Sequence, residues 1–176
     1  VAKPENLLTE AIAAANDAVY EKSCNNAEYA GMGTTFTAVM ICEQAVYWAH
    51  VGDSRLYLLH DGNQVQLTQD HALAWEMAKS GLITPAEALA HPKRNMLTRA
   101  VGVDETIKVD TGICYLHSGD KLLICTDGLT NMVGEDYLET ALKQEGAAGD
   151  AILEHLIGQA NLSGGNDNIT AILVIA

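Results

Sequence analysis

Cations are what this chain has least of among its charged residues: 10 Lys and Arg stand against 23 Asp and Glu, a formal net charge of -13. A field of that sign repels nucleic acid and anionic lipid, so neither is an expected partner, and an anionic substrate requires local cations. No apolar run is long enough to cross a bilayer, which excludes a membrane span. The four cysteines, Cys24, Cys42, Cys114 and Cys125, form no C-x-x-C pair. They read as small core residues, and they fit a reducing cytoplasm better than a redox or metal role. The six histidines show neither H-x-H nor H-E-x-x-H spacing, so a zinc hydrolase has no support. Internal repeats, low-complexity tracts and linker-like shifts are absent as well. The opening Val1-Ala-Lys-Pro has no Met and no basic-then-apolar leader, and reads as the beginning of a fragment.

What is present is enough for one domain over 1–176, with 48% hydrophobic and 19% charged residues. Leu7, Leu8, Ala11, Ile12, Ala15, Ala18 and Val19 recur at helical spacing, with Glu10, Asn16, Asp17 and Glu21 between them as the polar side. Strand-like runs follow at Thr34 to Ile41, Ala45 to Val51, Arg55 to Leu59 and Gln64 to Thr68, which read together as an antiparallel meander. Asp61-Gly62 marks the last turn as a hairpin. Helical pattern returns from His71 to Ser80, and Thr84-Pro85-Ala86-Glu87 sets out a cap, an N1 proline and a capping-box glutamate. Strands at Ile107 to Leu116 and Lys121 to Cys125, helices at Glu135 to Gln144 and Asp150 to Ala160, and a closing strand at Ile169 to Ile175 complete an α+β pattern.

Three aspartates stand where strands end or begin: Asp53 in Val51-Gly-Asp-Ser54, Asp127 in Cys125-Thr-Asp-Gly128, and Asp167 in Gly164-Gly-Asn-Asp-Asn-Ile-Thr170. If the strand ending at Cys125 runs antiparallel to the one starting at Ile169, Asp127 and Asp167 converge. Converging carboxylates repel unless a positive charge separates them, and hard oxygen ligands of this kind suit Mg²⁺ or Mn²⁺. Asp-Gly and Gly-Asp pairs are also ordinary turn chemistry, so residue type alone leaves both readings open. His50 reads as a strand residue with a satisfied hydrogen bond, and Trp48 and Trp75 as packing residues.

The order of Gly31-Met-Gly-Thr-Thr35, Ala49-His-Val-Gly-Asp-Ser-Arg55, Leu67-Thr-Gln-Asp-His71, Cys125-Thr-Asp-Gly-Leu129 and Gly164-Gly-Asn-Asp-Asn168 resembles the type 2C metal-dependent serine/threonine protein phosphatases. His91-Pro-Lys-Arg-Asn95 and Leu97-Thr-Arg-Ala-Val-Gly102 resemble the bacterial branch, and the resemblance runs from about Leu7 to the C-terminus. It implies an antiparallel β-sandwich flanked by helices, with metal ions at one end. Asp127 and Asp167 match first-metal ligands, and Asp53, with Asp127, matches the third-metal site. The implied reaction is attack of a metal-bridged water on phosphoserine or phosphothreonine in proteins, opposing a serine/threonine kinase. The segment Trp75 to Arg94 corresponds to a variable flap, which either contributes to specificity or simply packs on the rim.

The chain departs from the pattern in lacking the Asp-Gly-x-Gly-Gly block and the acidic, arginine-bearing segment that precede Leu7 in the family, and in having Ala72 after Asp-His. The resemblance therefore implies an N-terminally truncated sandwich. Its activity is expected to be weak or nil, and no catalytic residue beyond the metal ligands is expected in these 176 residues. The alternative is an inactive phosphatase-like module that binds a partner protein. A sheet edge left unpaired by truncation is expected to form a homodimer.

Overall fold

The computed structural model describes residues 3–176, and the Val1-Ala2 opening lies outside them. Contacts within the chain gather into two units, residues up to Asp53 with Asp70–Cys114, and Ser54–Gln69 with Tyr115–Ala176.

In the first unit, Pro4 occupies the first turn of α1 (Pro4–Asn25), where its missing N–H has no intrahelical partner to lose, and Lys22 sits in the last turn beside the exposed carbonyls. The apolar stripe begins at Leu8 and Ile12, both buried, and continues through Ala15 and Val19. It packs with Ala49, Val51 and Val101 against β1 (Phe36–Cys42) and β2 (Ala45–Val51). These strands form an antiparallel hairpin from Phe36↔Val51 to Cys42↔Ala45, and β5 (Asp110–Tyr115) lies on the other side of β2. Between them, α2 (Leu73–Lys79) and α3 (Pro85–Leu89) form an excursion closed at its base by a bridge between Ala72 and Leu97. The expected capping box is present: Thr84 accepts the Glu87 N–H, and the Thr84 N–H donates to the Glu87 carboxylate at 2.7 Å.

The second unit is a four-stranded antiparallel sheet, β4 (Asn63–Gln66), β3 (Arg55–His60), β6 (Lys121–Cys125) and β7 (Ala171–Ile175), in that order. The β3–β4 turn is Asp61-Gly62, both at positive φ (49° and 72°), as a two-residue hairpin of this twist requires. One face, carrying Tyr57, Leu59, Leu123 and Cys125, is covered by Leu129 of α4 (Asp127–Thr130), by Leu138, Ala141 and Leu142 of α5 (Glu135–Leu142), and by Ile152 and Leu156 of α6 (Gly149–Leu162). Period two also places Arg55 and Lys121 on that face. Arg55 donates to the Tyr57 hydroxyl at 3.0 Å, and the Lys121 ammonium caps the C-terminal end of α5 through the carbonyls of Leu142 and Gln144. A buried lysine there is favourable because it meets the unpaired carbonyls of a helix end.

The α+β class with antiparallel sheets and helices is as the pattern indicates. Three expectations change. The meander is two hairpins: β1–β2 belongs to one sheet and β3–β4 to another, because the turn at Gly52-Asp53-Ser54 changes sheet instead of continuing the ladder. Cys24 and Cys42 are exposed, Cys114 is half-buried, and Cys125 alone is buried, since Cys42 ends an edge strand and Cys24 lies in the last turn of α1. Asn16, assigned to the polar face, is 1% exposed. Its Oδ1 accepts the Gly102 N–H at 2.8 Å, and its Nδ2 donates to the carbonyls of Asp104 and Glu105 at 3.0 and 3.3 Å. It thus fastens the turn after Val101 to α1. No helix of the described residues is long and apolar enough to cross a membrane. Replacing Asn16 by Leu keeps the branched outline of the side chain but strands the Gly102 N–H in the interior, so urea unfolding of Asn16→Leu is expected to show a loss of about 2 kcal/mol.

Candidate functional site

The β6–β7 ladder determines what happens at its end. Cys125 pairs with Ala171, and the pairing extends one step further: the Thr126 N–H donates to the Thr170 carbonyl, and the Thr170 N–H donates to the Thr126 hydroxyl, both at 3.0 Å. Thr126 lies in the N-cap position of α4, but with its hydroxyl engaged there it makes no side-chain cap to the helix. The next residue on one side is Asp127 at the start of α4, and three residues before Thr170 on the other is Asp167.

The two turns are packed without slack. A Cβ on Gly128 would lie 2.3 Å from the Asn168 carbonyl oxygen and 3.5 Å from the Asp167 Cβ, so only glycine permits the Asp127-Gly128 turn to rest on the Asp167-Asn168 backbone. Each carboxylate is oriented. The Asn131 amide donates to Asp127 Oδ2 at 3.0 Å, and the Asn168 N–H donates to Asp167 Oδ1 at 2.7 Å. Asp127 is half-buried and Asp167 exposed. The convergence expected of these two aspartates is therefore borne out in their backbone positions.

In the other unit, Asp53 follows Gly52 at the end of β2. Gly52 has a φ of +112°, and a Cβ there would lie 2.4 Å from the Thr35 methyl, so the turn again accepts glycine alone. His71 grips this turn twice: its N–H donates to the Gly52 carbonyl at 2.7 Å, and its Nδ1 accepts the Gly52 N–H at 3.0 Å. A ring nitrogen that accepts a backbone N–H carries no proton, so the other, Nε2, bears it and donates to Asp110 at 3.1 Å. Arg99 completes the group, donating to Asp110 at 2.7 Å and to the Lys108 carbonyl at 3.0 Å. The His50 ring lies tilted against it, 4.8 Å away between centroids, and its Nδ1 is satisfied by the Thr37 hydroxyl at 2.8 Å. His71 and Arg99 lie inside segments that carried the family resemblance, yet nothing in their spacing indicates a shared partner, because Asp110 enters from β5.

The protein phosphatase 2C family matches residues 1–76 of this sequence. The serine/threonine phosphatase stp of Listeria monocytogenes is 40% identical over 170 residues, which is 97% of this chain and 67% of that protein. Among solved structures, the serine/threonine phosphatase Stp1 of Staphylococcus aureus superposes with a TM-score of 0.94 at 35% identity, over 98% of this chain and 68% of that one. The chain belongs to the protein phosphatase 2C family. It spans between 57% and 67% of the length of such curated relatives. A further phosphatase 2C structure, the catalytic domain of PstP in complex with two manganese ions, superposes with a TM-score of 0.87 at 30% identity, over 98% of this chain and 71% of that one.

Within this phosphatase 2C chain, the turns at 127 and 167 offer hard carboxylate oxygens in fixed orientations, a donor set that fits Mg²⁺ or Mn²⁺. The His71 group is of a different kind. Burial pushes the His71 imidazole below its ordinary 6.5, with the Arg99 charge adding to that effect and Asp110 and Glu76 opposing it. Burial acts upward on Asp110, but the hydrogen bonds from His71 and Arg99 hold its carboxyl below the usual range. A folded value under the unfolded one means that the stability His71 contributes is fully present above about 6.5 and fades as pH falls through the folded value. His60 is shifted the opposite way, raised chiefly by its hydrogen bond to Asp120. An NMR titration of the histidine rings is expected to show His71 protonating below 6.5 and His60 above it. The reverse order would contradict the burial of His71 and the Asp120 hydrogen bond of His60 as the causes of these shifts.

Proposed function

We propose that this protein hydrolyses phosphoserine and phosphothreonine in proteins, with Asp127 and Asp167 holding a divalent cation, Mg²⁺ or Mn²⁺, and Asp53 offering a carboxylate ligand from its own turn. The observation that carries the assignment is the contact at Gly128, which seats two oriented carboxylates on adjoining turns. Such a pair is electrostatically costly in a protein of net charge -13 unless a cation lies against it. The names of the relatives, serine/threonine phosphatases, support the substrate class, and the two manganese ions of the PstP structure support the metal. A bound ion of this kind acidifies a coordinated water and neutralises phosphate charge in line displacement. The chain's own part is positional. Asn131 and the Asn168 N–H set the direction of the carboxylates, and the His71 grip on Gly52 sets the backbone that presents Asp53. The opposing enzyme is a serine/threonine kinase. The cytoplasm is the compartment that fits four cysteines in no disulfide.

A second reading is favoured by one observation, the exposed apolar side chains on strands at the sheet edges. On that reading the chain is a phosphatase-like module that binds a partner protein. The strands at the sheet edges offer a route, since Ile113 and Tyr115 on β5 and Ile172 and Ile175 on β7 are exposed, and a second copy of the chain pairing along such an edge would form a homodimer.

Hydrolysis of an aryl phosphate with Mn²⁺ separates these readings. The 176 residues alone are expected to show little turnover. The same residues fused behind a segment carrying the Asp-Gly-x-Gly-Gly block are expected to show metal-dependent turnover that Asp127→Ala lowers by roughly 100-fold or more. A fusion without metal-dependent turnover, or one indifferent to Asp127→Ala, would remove the phosphatase assignment. Turnover by the 176 residues alone would remove the inactive module. Light scattering of the same 176-residue samples through a dilution series should show mass falling toward 18.8 kDa, and a constant monomer mass would exclude the dimer.

A further inference from the structure

A second cluster of ligating side chains stands at the opposite end of β6 from Asp127. β3 and β6 pair antiparallel with Leu59 opposite Lys121, so the residue after Leu59, His60, faces the residue before Lys121, Asp120. His117 comes from the turn that leads into β6. One ligand atom from each of His60, His117 and Asp120 lies within 4.8 Å of the other two. His60 Nδ1 is 2.9 and 3.0 Å from the two Asp120 oxygens, and His117 Nδ1 is 3.5 Å from Asp120 Oδ2. The two imidazole rings lie 5.1 Å apart between centroids. Asp61 adds a fourth group at the rim, its Oδ2 3.5 Å from His60 Nε2.

The donor set and its mounting both point to a metal ion. Two imidazoles with one or two carboxylates are the ligands of borderline transition metals, Zn²⁺ above all, and differ in kind from the all-carboxylate set at 127 and 167. The anchor is rigid. The Asp120 side chain is 5% exposed, and its Oδ2 accepts the His117 N–H at 2.8 Å. The 117–120 turn is itself tied to the chain's last residue, with the Gly119 N–H donating to the Ala176 carbonyl and the Ala176 N–H to the Asp120 carbonyl, at 2.9 and 3.0 Å. The two imidazoles, with side chains 44% and 60% exposed, have room to pivot through the ångström or so that separates these positions from a tetrahedral shell. Five strand residues, about 17 Å, separate the two ends of β6, too far for one ion to serve both.

We propose that His60, His117 and Asp120, with water as the fourth ligand, form a Zn²⁺ site that joins the β3–β4 hairpin to the turn before β6. Binding displaces the proton between His60 and Asp120 and replaces it with a coordinate bond to each. Its sequence signature is faint, since His60 and His117 are 57 positions apart and meet only through the β3–β6 register.

The test is Zn²⁺ titration by calorimetry on the 176-residue chain in a Cys24→Ser/Cys42→Ser background, so that the two exposed thiols take no part. One saturable site per chain is expected to remain when Asp127→Ala/Asp167→Ala removes the carboxylate pair, and to be weakened at least roughly tenfold by His60→Ala/His117→Ala in that background. Co²⁺ in place of Zn²⁺ is expected to give the strong visible absorption of a four-coordinate ion. Should the double histidine variant fail to fold, NMR of the unsubstituted rings decides: Zn²⁺ is expected to shift the His60 and His117 resonances and leave His71 and His155 in place. No saturable binding, equal binding by the folded double variant, loss of binding with the Asp127/Asp167 pair, or unshifted His60 and His117 rings would each overturn the site. None of these results depends on phosphatase turnover, so the site and the proposed activity stand or fall separately.

Discussion

The antiparallel pairing of β6 with β7 is the constraint on which the candidate centre depends. Five ladder pairs, Lys121↔Ile175 to Cys125↔Ala171, fix the register, and the reciprocal bonds of Thr126 and Thr170 carry it past the end of the strands. A one-residue slip would turn every side chain of β6 to the other face, moving Tyr57's neighbour Leu123 out of the helix-covered core and Asp127 away from Asp167. The same apolar face that buries Leu123 and Cys125 under α5 and α6 therefore also determines where two acidic turns meet. Fold and site share one specification. The ladder's other end is held by the same strand, which is why the His60, His117 and Asp120 cluster is as firmly placed as the carboxylates.

Much of this was legible from local pattern. Ala45–Val51 and Lys121–Cys125 are strands with the bounds that their residues indicate, the Asp61-Gly62 turn and the Thr84 capping box are as their chemistry dictates, and Asp127 and Asp167 converge as antiparallel strand ends require. What was not legible depends on contacts between residues distant in the chain. Asn16 sits among polar positions of an amphipathic helix, and only the turn 86 residues later makes it an interior residue. Cys42 looks like a core cysteine until β1 is known to lie at an edge. Strand propensity places β2 and β3 in succession, but cannot say that the Gly52 turn changes sheet.

The buried group around His71 shows how charge is used in an acidic chain with few cations to spare. Arg99 is shared between Asp110 and the Lys108 carbonyl, and Asp110 in turn accepts a hydrogen bond from the His71 Nε2–H, so one guanidinium and one neutral imidazole satisfy a half-buried carboxylate and fix the Gly52 backbone. Arg55 and Lys121 serve comparable ends in the other unit, the first beside Tyr57 and Glu135, the second at the end of α5. Buried cations in this protein are attached to specific acceptors, and the surplus negative charge is left on helix surfaces and at turns, where an ion or water can reach it.

The central claim is that the Asp127 and Asp167 turns form one cation-binding unit because Gly128 lets them touch. Mn²⁺ titration by calorimetry on the wild-type chain, Asp127→Ala, Asp167→Ala and Gly128→Val tests it directly. All three substitutions are predicted to weaken binding by at least roughly tenfold, the valine by forcing the turns apart while leaving both carboxylates in the chain. Mn²⁺ affinity identical across the four proteins would contradict the account.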